Sequence, residues 1–429
     1  MFKSLKNAWA IPEMRRKFLF TLLIIVLYRI GAAVHVPFTD YEAMEASFNV
    51  ADGNLFAYLN ILSGDAFSKA TLFALSISPY ITASIVMQLL TIAIPALERI
   101  SKRGEEGQKI ITQWTRVVTV LLGLLTAFGY YMYMRNYGYL TAFGNTVLGG
   151  FVIVLCYSAG AALIMWLAEK INDHGIGNGI SIILFANIVA TGASSVISMV
   201  NYALSDAWNL VIVEVVGFAA LAMIAFVVYI TNSERRLPVQ YAKKVVGRKM
   251  YGGQSTTLPI KLNMSGVMPI IFANSIVALP STIEMIVTPK KGGFWEKFFD
   301  FFSYNSVVYA ILFFILIILF AYFYILISFN PIEVANNLKK NGGFIPGIRP
   351  GKPTSDYITK ILNRITLIGA LFLGVIAVLP LIVNIILNNQ LGSIAFGGSS
   401  LLIVVGVILE TAREIEAQMT MRHYKGFLE

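Results

Sequence analysis

Charge is what this chain has least of. Asp, Glu, Lys and Arg make up 13% of its 429 residues, about half their share in a soluble protein. Such a chain cannot cover a water-facing surface, which excludes a soluble enzyme, and its apolar content excludes disorder, collagen-like repeats and coiled coil. Its single cysteine, Cys156, lies in an apolar run, so no intrachain disulfide can form. The three histidines, His35, His174 and His423, are too scattered for a metal site and read as membrane-interface residues. H-E-x-x-H and G-x-S-x-G are absent. The nearest approach to a P-loop, Gly347 to Pro353, is one spacer short, and Pro353 stands where a Ser or Thr should hold the metal. The reading is therefore no enzyme and no cofactor, with energy for any work coming from a partner or from the membrane potential. Ionisable residues at membrane depth are also few. Arg29, Glu214 and Glu284 fall inside predicted spans, all toward the outer side, where Arg29 and Glu284 are expected to reach water, and no acid chain resembles a proton relay.

What the chain does have is hydrophobic length: 57% of its residues are apolar and its mean hydropathy is +0.72. A membrane helix needs about 20 apolar residues. The first apolar run follows Arg15-Arg16-Lys17 and continues to about Phe38. It is too long for the apolar core of a signal peptide and lacks a small-residue cleavage site, so it reads as an uncleaved first span. Nine further segments are predicted near 71–93, 113–134, 147–169, 178–200, 207–230, 264–287, 307–328, 362–387 and 399–421. The segment at 178–200 is the most diluted, by Asn187 and several Ser and Gly residues. With the N-terminus inside, 25 Lys and Arg fall in inner segments and 5 in outer loops. That asymmetry fits the positive-inside rule with both termini cytoplasmic.

Ten spans divide into five before about residue 203 and five after, giving units 1–203 and 204–429. Five is odd, so any relation between the halves is an inverted repeat with a pathway at the interface. Two inner loops, 231–263 and 329–361, are longer and more basic than connectors require. Their Gly-Gly and Pro-Gly turns predict protruding hairpins that dock a cytoplasmic partner through acidic protein, rRNA or anionic lipid. One further segment, 55–69, is apolar but too short to span, and Asn60, Ser63, Gly64 and Asp65 interrupt it. It reads either as an interfacial helix or as a short helix folded back into the protein.

Five stretches are similar to the SecY/Sec61-alpha family of protein-conducting channels: FALSISPYITASIVMQLL (73–90), GIGNGISIILFANIVA (175–190), the loop and span from LPVQYAKK to FANSI (237–276), NGGFIPGIRPGKPTSDYITKILNRIT (341–366) and FGGSSLLIVVGVILE (396–410). The resemblance runs over nearly the whole chain. It implies an all-α integral membrane protein of ten transmembrane helices, in two pseudo-symmetric inverted halves of five hinged between spans five and six, with a short re-entrant plug helix. It further implies an hourglass pore that passes unfolded secretory polypeptides across the bacterial plasma membrane and releases transmembrane segments sideways into lipid.

The residue roles below come from the same resemblance. An aliphatic pore ring falls on Ile77, Ile81, Ile180, Leu184, Ile271 and Ile403, with Leu184 standing where the family has isoleucine. The plug falls on 55–69, with Leu55, Tyr58, Leu59, Ile61, Leu62, Gly64 and Phe67, and Asp65 stands where a second glycine is expected. Thr82, Ser275 and Leu279 match the lateral gate between spans two and seven. Arg248 and Lys249 in the first basic loop and Arg349 in the second match positions that dock the SecA ATPase and the ribosome. SecE and SecG are the expected partner subunits, with SecE clamping the halves. The remaining partners are the signal sequence, the translocating polypeptide and anionic lipids.

Taken without the resemblance, the ring residues are ordinary core or lipid-facing positions, although Ile77/Ile81 and Ile180/Leu184 are four apart and each pair shares a helix face. A Thr or Ser in a span usually bonds its own helix. The lesser alternative for Arg349 is that it braces its own turn. The rival functional reading is a small-solute secondary transporter with a five-plus-five inverted repeat. The missing midplane charges and the basic loops count against it.

Overall fold

The computed structural model describes residues 8–47, 55–205, 207–241, 244–246, 249–251, 255–286, 293, 295, 298–299, 306–386 and 398–425. A helix lies over each of the ten predicted segments. The first half contains α1 (Pro12–Gly31), α2 (Tyr41–Ser47), α3 (Leu55–Ser63), α4 (Ser78–Ala93), α5 (Pro95–Ser101), α6 (Glu105–Tyr137), α7 (Val147–His174) and α8 (Gly179–Ser205). After α9 (Ala207–Asn232) come strands β1 (Glu234–Tyr241), β2 (Lys244–Val246), β3 (Lys249–Tyr251) and β4 (Ser255–Lys261). Then follow α10 (Met268–Val277), α11 (Leu279–Ile286), α12 (Val307–Ser328), α13 (Pro331–Lys340), β5 (Gly343–Phe344), α14 (Lys352–Ile386) and α15 (Gly398–Lys425).

Five described helices are long and apolar enough to cross a membrane, and six if α4 and α5 form one span bent by 105°. The bend falls at Ile94, in extended conformation, before Pro95. Proline disfavours helical backbone in the residue before it, so this break follows from the sequence. Of the remaining predicted spans, α1 and α15 carry several charged residues, and the apolar stretches Gly179–Ser194 of α8 and Met268–Glu284 across α10–α11 are shorter among the described residues. In the seventh, α10 ends at Ala278 and α11 restarts with Pro280 in its first turn, where a missing N–H costs nothing.

The second predicted span also begins late. Its helix starts only at Ser78, and residues 64–77 run through turns in which Asp65, Ala70 and Ser76 have positive φ. These turns are tied into the bundle. Val36 N–H donates to Ala70 O at 3.1 Å and Leu72 N–H to Val34 O at 2.8 Å. Tyr130 Oη donates to Phe67 O at 2.6 Å and Tyr157 Oη to Ala70 O at 3.2 Å. Buried irregular backbone with donors supplied by neighbouring helices is what membrane depth demands.

The core joins both halves. One apolar cluster takes Tyr28 from α1, Ile85 from α4, Ile164 from α7, Ile188 from α8, Ile270 from α10, Ile317 from α12 and Leu402 from α15. Between helices already in lipid, close van der Waals fit does what water exclusion does elsewhere. Small residues allow it: a Cβ on Gly160 of α7 would overlap the Leu72 carbonyl, and one on Gly179 would overlap the Ala168 carbonyl. The outward faces carry exposed Leu121, Phe151, Phe218 and Leu326, a surface suited to lipid and not to water.

Candidate functional site

Segments far apart in sequence close the centre of this bundle. Ile77, at the N-cap of α4, and Ile81, one turn on, are 1% and 4% exposed. Leu184 of α8, Ile271 of α10 and Ile403 of α15 are buried in the same cluster, and Ile180 packs against it. Ile81, Leu184, Ile271 and Ile403 also line one cavity with Leu59 and Leu62 of α3. At about 90 Å³ it has room for a few waters and none for a polypeptide.

The same cavity reaches Thr82 of α4 and Ser275 and Leu279 of α10 and α11. Thr82 Oγ1 donates to Ser78 O at 3.1 Å and Ser275 Oγ to Ile271 O at 2.9 Å. Both hydroxyls are thus spent on their own helices, and neither bridges α4 to α10. Leu279 is 42% exposed. The α4–α10 seam therefore closes by apolar packing, with the buried amide of Asn274 lining it.

Segment 55–69 folds inward. Leu55, Tyr58, Leu59, Ile61 and Leu62 lie on α3, which packs against α8, and Gly64 and Phe67 follow in the turns after it. Phe67 is 2% exposed and sits 4.7 Å, ring to ring, from Tyr130. Asp65 takes φ +66°, a left-handed conformation that Asp tolerates better than most residues, so the absent second glycine does not prevent the turn. Its carboxylate accepts from Asn60 Nδ2 at 3.1 Å and Ser194 Oγ at 3.4 Å. Burial pushes that carboxyl above the usual range, against the pull of Lys69, Ser194 and Arg29.

The two basic loops form one body. β1 pairs antiparallel with β4, Leu237 opposite Leu258 and Val239 opposite Thr256. β5 adds to the other edge of β1, Gln240 opposite Phe344 and Tyr241 opposite Gly343. Leu237, Val239, Ile260, Ile345 and Ile358 pack beneath. The first loop is thus a hairpin as expected. The second is not: it is a helix, α13, whose N-cap Asn330 accepts from Ile332 and Glu333 N–H, followed by an edge strand. Proline at the first position of α13 and the strongly amphipathic PIEVANNLKK favour helix there. Arg349 is exposed, in a turn flanked by Gly347 and Gly351 at φ +82° and +106°. Arg248 lies outside the described residues, and Lys249 starts β3.

Comparison with known proteins gives this arrangement its family. The SecY family model matches residues 71–412. The chain belongs to the SecY family. Protein translocase subunit SecY of Streptomyces coelicolor is 44% identical, with both chains covered end to end. The SecY subunit of Mycobacterium bovis is 42% identical over 97% of each chain. Among solved structures, one described as the structure of a protein conducting channel superposes with a TM-score of 0.66 at 18% identity, covering 94% of this chain and 92% of that one. Sec61 in a canine ribosome-channel complex gives 0.62 at 17%, with 94% and 92% covered. The fold is therefore that of the SecY/Sec61 channels, a multi-pass membrane architecture.

Within this SecY-family fold, sequence reasoning missed the polar side chains that hold 55–69 in place. Asn187 Nδ2 donates to Leu62 O at 2.8 Å and approaches Ser76 Oγ at 3.3 Å, and Ser76 Oγ donates to Leu62 O at 3.0 Å. Arg29, expected to reach outer water, instead donates to Ala186 O at 2.6 Å and Gly64 O at 3.4 Å. The signal was available: a polar group inside an apolar span usually has a partner and a job.

Proposed function

We infer that this chain is the pore-forming subunit of a gated channel that moves unfolded secretory polypeptides across the bacterial plasma membrane and releases apolar helices into lipid. The observation that carries the reading is the shared cavity, in which candidate ring, plug and gate residues meet. Ile77, Ile81, Ile180, Leu184, Ile271 and Ile403 act as an apolar constriction. It dewets when closed, blocking ions, and offers a sliding chain no strong binding site. Residues 55–69 are the plug that seals it.

Thr82, Ser275 and Leu279 mark the seam that parts sideways. A signal segment leaving through it gains ~0.8 kcal/mol per CH₂ transferred, which biases the opened seam toward release.

The division into halves 1–203 and 204–429, related as an inverted repeat, belongs to this reading. An apolar groove supports an expected SecE helix across the halves. It is lined by Phe18 and Ile25 of α1, Ile182 and Phe185 of α8 and Val407 and Ile408 of α15. At its cytoplasmic end Lys17 Nζ donates to Gln418 Oε1 at 3.0 Å. SecG completes the complex. The joined basic loops are the docking surface for SecA and the ribosome, with Arg248, Lys249 and Arg349 as contact residues and anionic lipid around them. SecA supplies ATP hydrolysis, and the channel makes and breaks no bonds. Both termini are cytoplasmic by the distribution of basic residues.

The test is reconstitution with SecE, SecA, ATP and a secretory precursor in sealed vesicles, scoring protease-protected precursor. Protection should require ATP and fall in Arg349→Glu. Protection that survives in the variant removes Arg349 from the contact. No protection with an intact complex and active SecA sinks the channel reading in favour of a small-solute transporter.

A further inference from the structure

The α3 segment is held by its carbonyls. Gly64, at φ +68°, lets Asp65 N–H reach Asn60 O at 3.0 Å and its own N–H reach Ile61 O at 3.2 Å. This pair of bonds closes the helix C-terminus. It leaves the Leu62 and Gly64 carbonyls pointing outward, at the partly negative end of the helix. Side chains from other elements meet both. Leu62 O takes Ser76 Oγ and Asn187 Nδ2. Gly64 O takes Arg29 Nη1 at 3.4 Å, while Nη2 of the same guanidinium donates to Ala186 O of α8 at 2.6 Å. Arg29 lies in the last turn of α1. One side chain therefore ties α1, α8 and the end of α3 together. Gly64 is fitted to it, since a Cβ there would come within 3.0 Å of both guanidinium nitrogens and of Asn187 Oδ1.

We propose that Arg29 positions the 55–69 segment in the pore and thereby sets how often the substrate-free channel is sealed, an inference that rests on reading this segment as the plug. The two bonds are unequal in a useful way. The short one, to a carbonyl of α8, keeps the guanidinium in place whether or not α3 is docked. The long one, to Gly64 O, is weak enough to yield when a polypeptide enters. A guanidinium suits this role because its planar fork offers donors to two acceptors at once in a fixed geometry, which an ammonium does not.

The experiment uses the complete complex in proteoliposomes and measures two quantities: ion flux without substrate, and ATP-driven protection of a secretory precursor. Arg29→Gln should raise substrate-free flux several-fold, as loss of one long hydrogen bond from a charged donor, while precursor is still protected. Arg29→Lys should restore only part of the seal. Gly64→Ala, which disturbs the contact from the other side, should leak similarly and carries the test if Arg29→Gln does not assemble. The thermal midpoint of the purified complex separates the alternatives. A lowered midpoint with wild-type flux in the assembled variants makes Arg29 a brace of α1 on α8 and overturns the proposal. A wild-type complex that protects no precursor defeats the channel reading itself. Wild-type protection with unchanged flux in Arg29→Gln and Gly64→Ala defeats only this inference.

Discussion

The Leu62 carbonyl gives a quantitative test of how the 55–69 segment is held. It accepts from Ser76 Oγ at 3.0 Å and from Asn187 Nδ2 at 2.8 Å, and both donors are at most 2% exposed. Ser76→Ala or Asn187→Ala alone removes one neutral hydrogen bond to the carbonyl and the 3.3 Å contact between the two side chains, but leaves the carbonyl one partner, a loss of about 0.5–1.5 kcal/mol for each bond. Ser76 sits at φ +54° and alanine keeps its Cβ, so the substitution adds no backbone strain. Each single variant should therefore raise substrate-free ion flux about two- to tenfold. The double variant removes both donors from a buried carbonyl, and an orphaned acceptor costs about 1–3 kcal/mol in its own right. The Asn187–Ser76 contact is lost in either single and offsets part of this, so the net synergy should be about 0.5–1.5 kcal/mol, or roughly two- to tenfold in flux beyond the product of the singles. The assay is ion flux into proteoliposomes for wild type, both singles and the double. A flux equal to the product of the singles would refute the claim that the two donors share one acceptor. Wild-type flux in all three would refute the claim that this carbonyl anchors the seal.

Three further outcomes follow from specific contacts. Gly160→Ala places a methyl against the Leu72 carbonyl, so the purified complex should lose about 1–3 kcal/mol of stability, read as a lower thermal midpoint. An unchanged midpoint would mean that α7 and residue 72 are not so closely packed. Ile345→Ala cuts a side chain that is 3% exposed in the core joining the two loops. It should cost about 2–5 kcal/mol locally and weaken SecA binding, measured by co-sedimentation, though no charge is changed. For Asp65 the sign follows from burial, which raises its carboxyl, with Lys69, Ser194 and Arg29 opposing and Glu45 adding to the rise. The ionised form is the disfavoured one in the folded state, so its penalty is absent below the ordinary carboxylate range. It grows as pH rises through that range toward the raised value. The thermal midpoint of wild type should therefore fall relative to Asp65→Asn over this window, and parallel curves would contradict the assignment.

Much of this fold was legible because apolar length is a local property. Each of the ten predicted segments carries a helix, and the β1–β4 hairpin occupies the first loop that Gly-Gly turns marked out. The breaks were less legible. Ile94-Pro95 announces its kink, but the late start of α4 depends on turns at Ala70 and Ser76 held by Tyr157 and Asn187, more than 80 residues away. In the second loop α13 has local signals in Asn330 and Pro331, but residues 343–344 form an edge strand on β1 because Tyr241 and Gly343 pair across about a hundred residues of chain, and no local pattern encodes that. The site was half visible. The aliphatic positions came from the resemblance, since buried isoleucines look alike in any membrane protein. Asn187 was counted only as a weakness in its span, and Arg29 as a residue reaching water, because the carbonyls they serve lie 125 and 35 residues away.

The central claim is that polypeptide passes through the aliphatic constriction. The most direct test places a photo-crosslinker, one position at a time, at Ile81, Ile271 and Ile403, which line the cavity, and at Leu155, which is 46% exposed on the outward face of α7. Each complex is loaded with a precursor stalled in mid-transfer by a folded C-terminal domain. Crosslinks to the stalled precursor at the first three positions, dependent on SecA and ATP and absent at Leu155, are the expected result. Protected precursor with no crosslink at Ile81, Ile271 or Ile403 would put the path elsewhere and contradict the account.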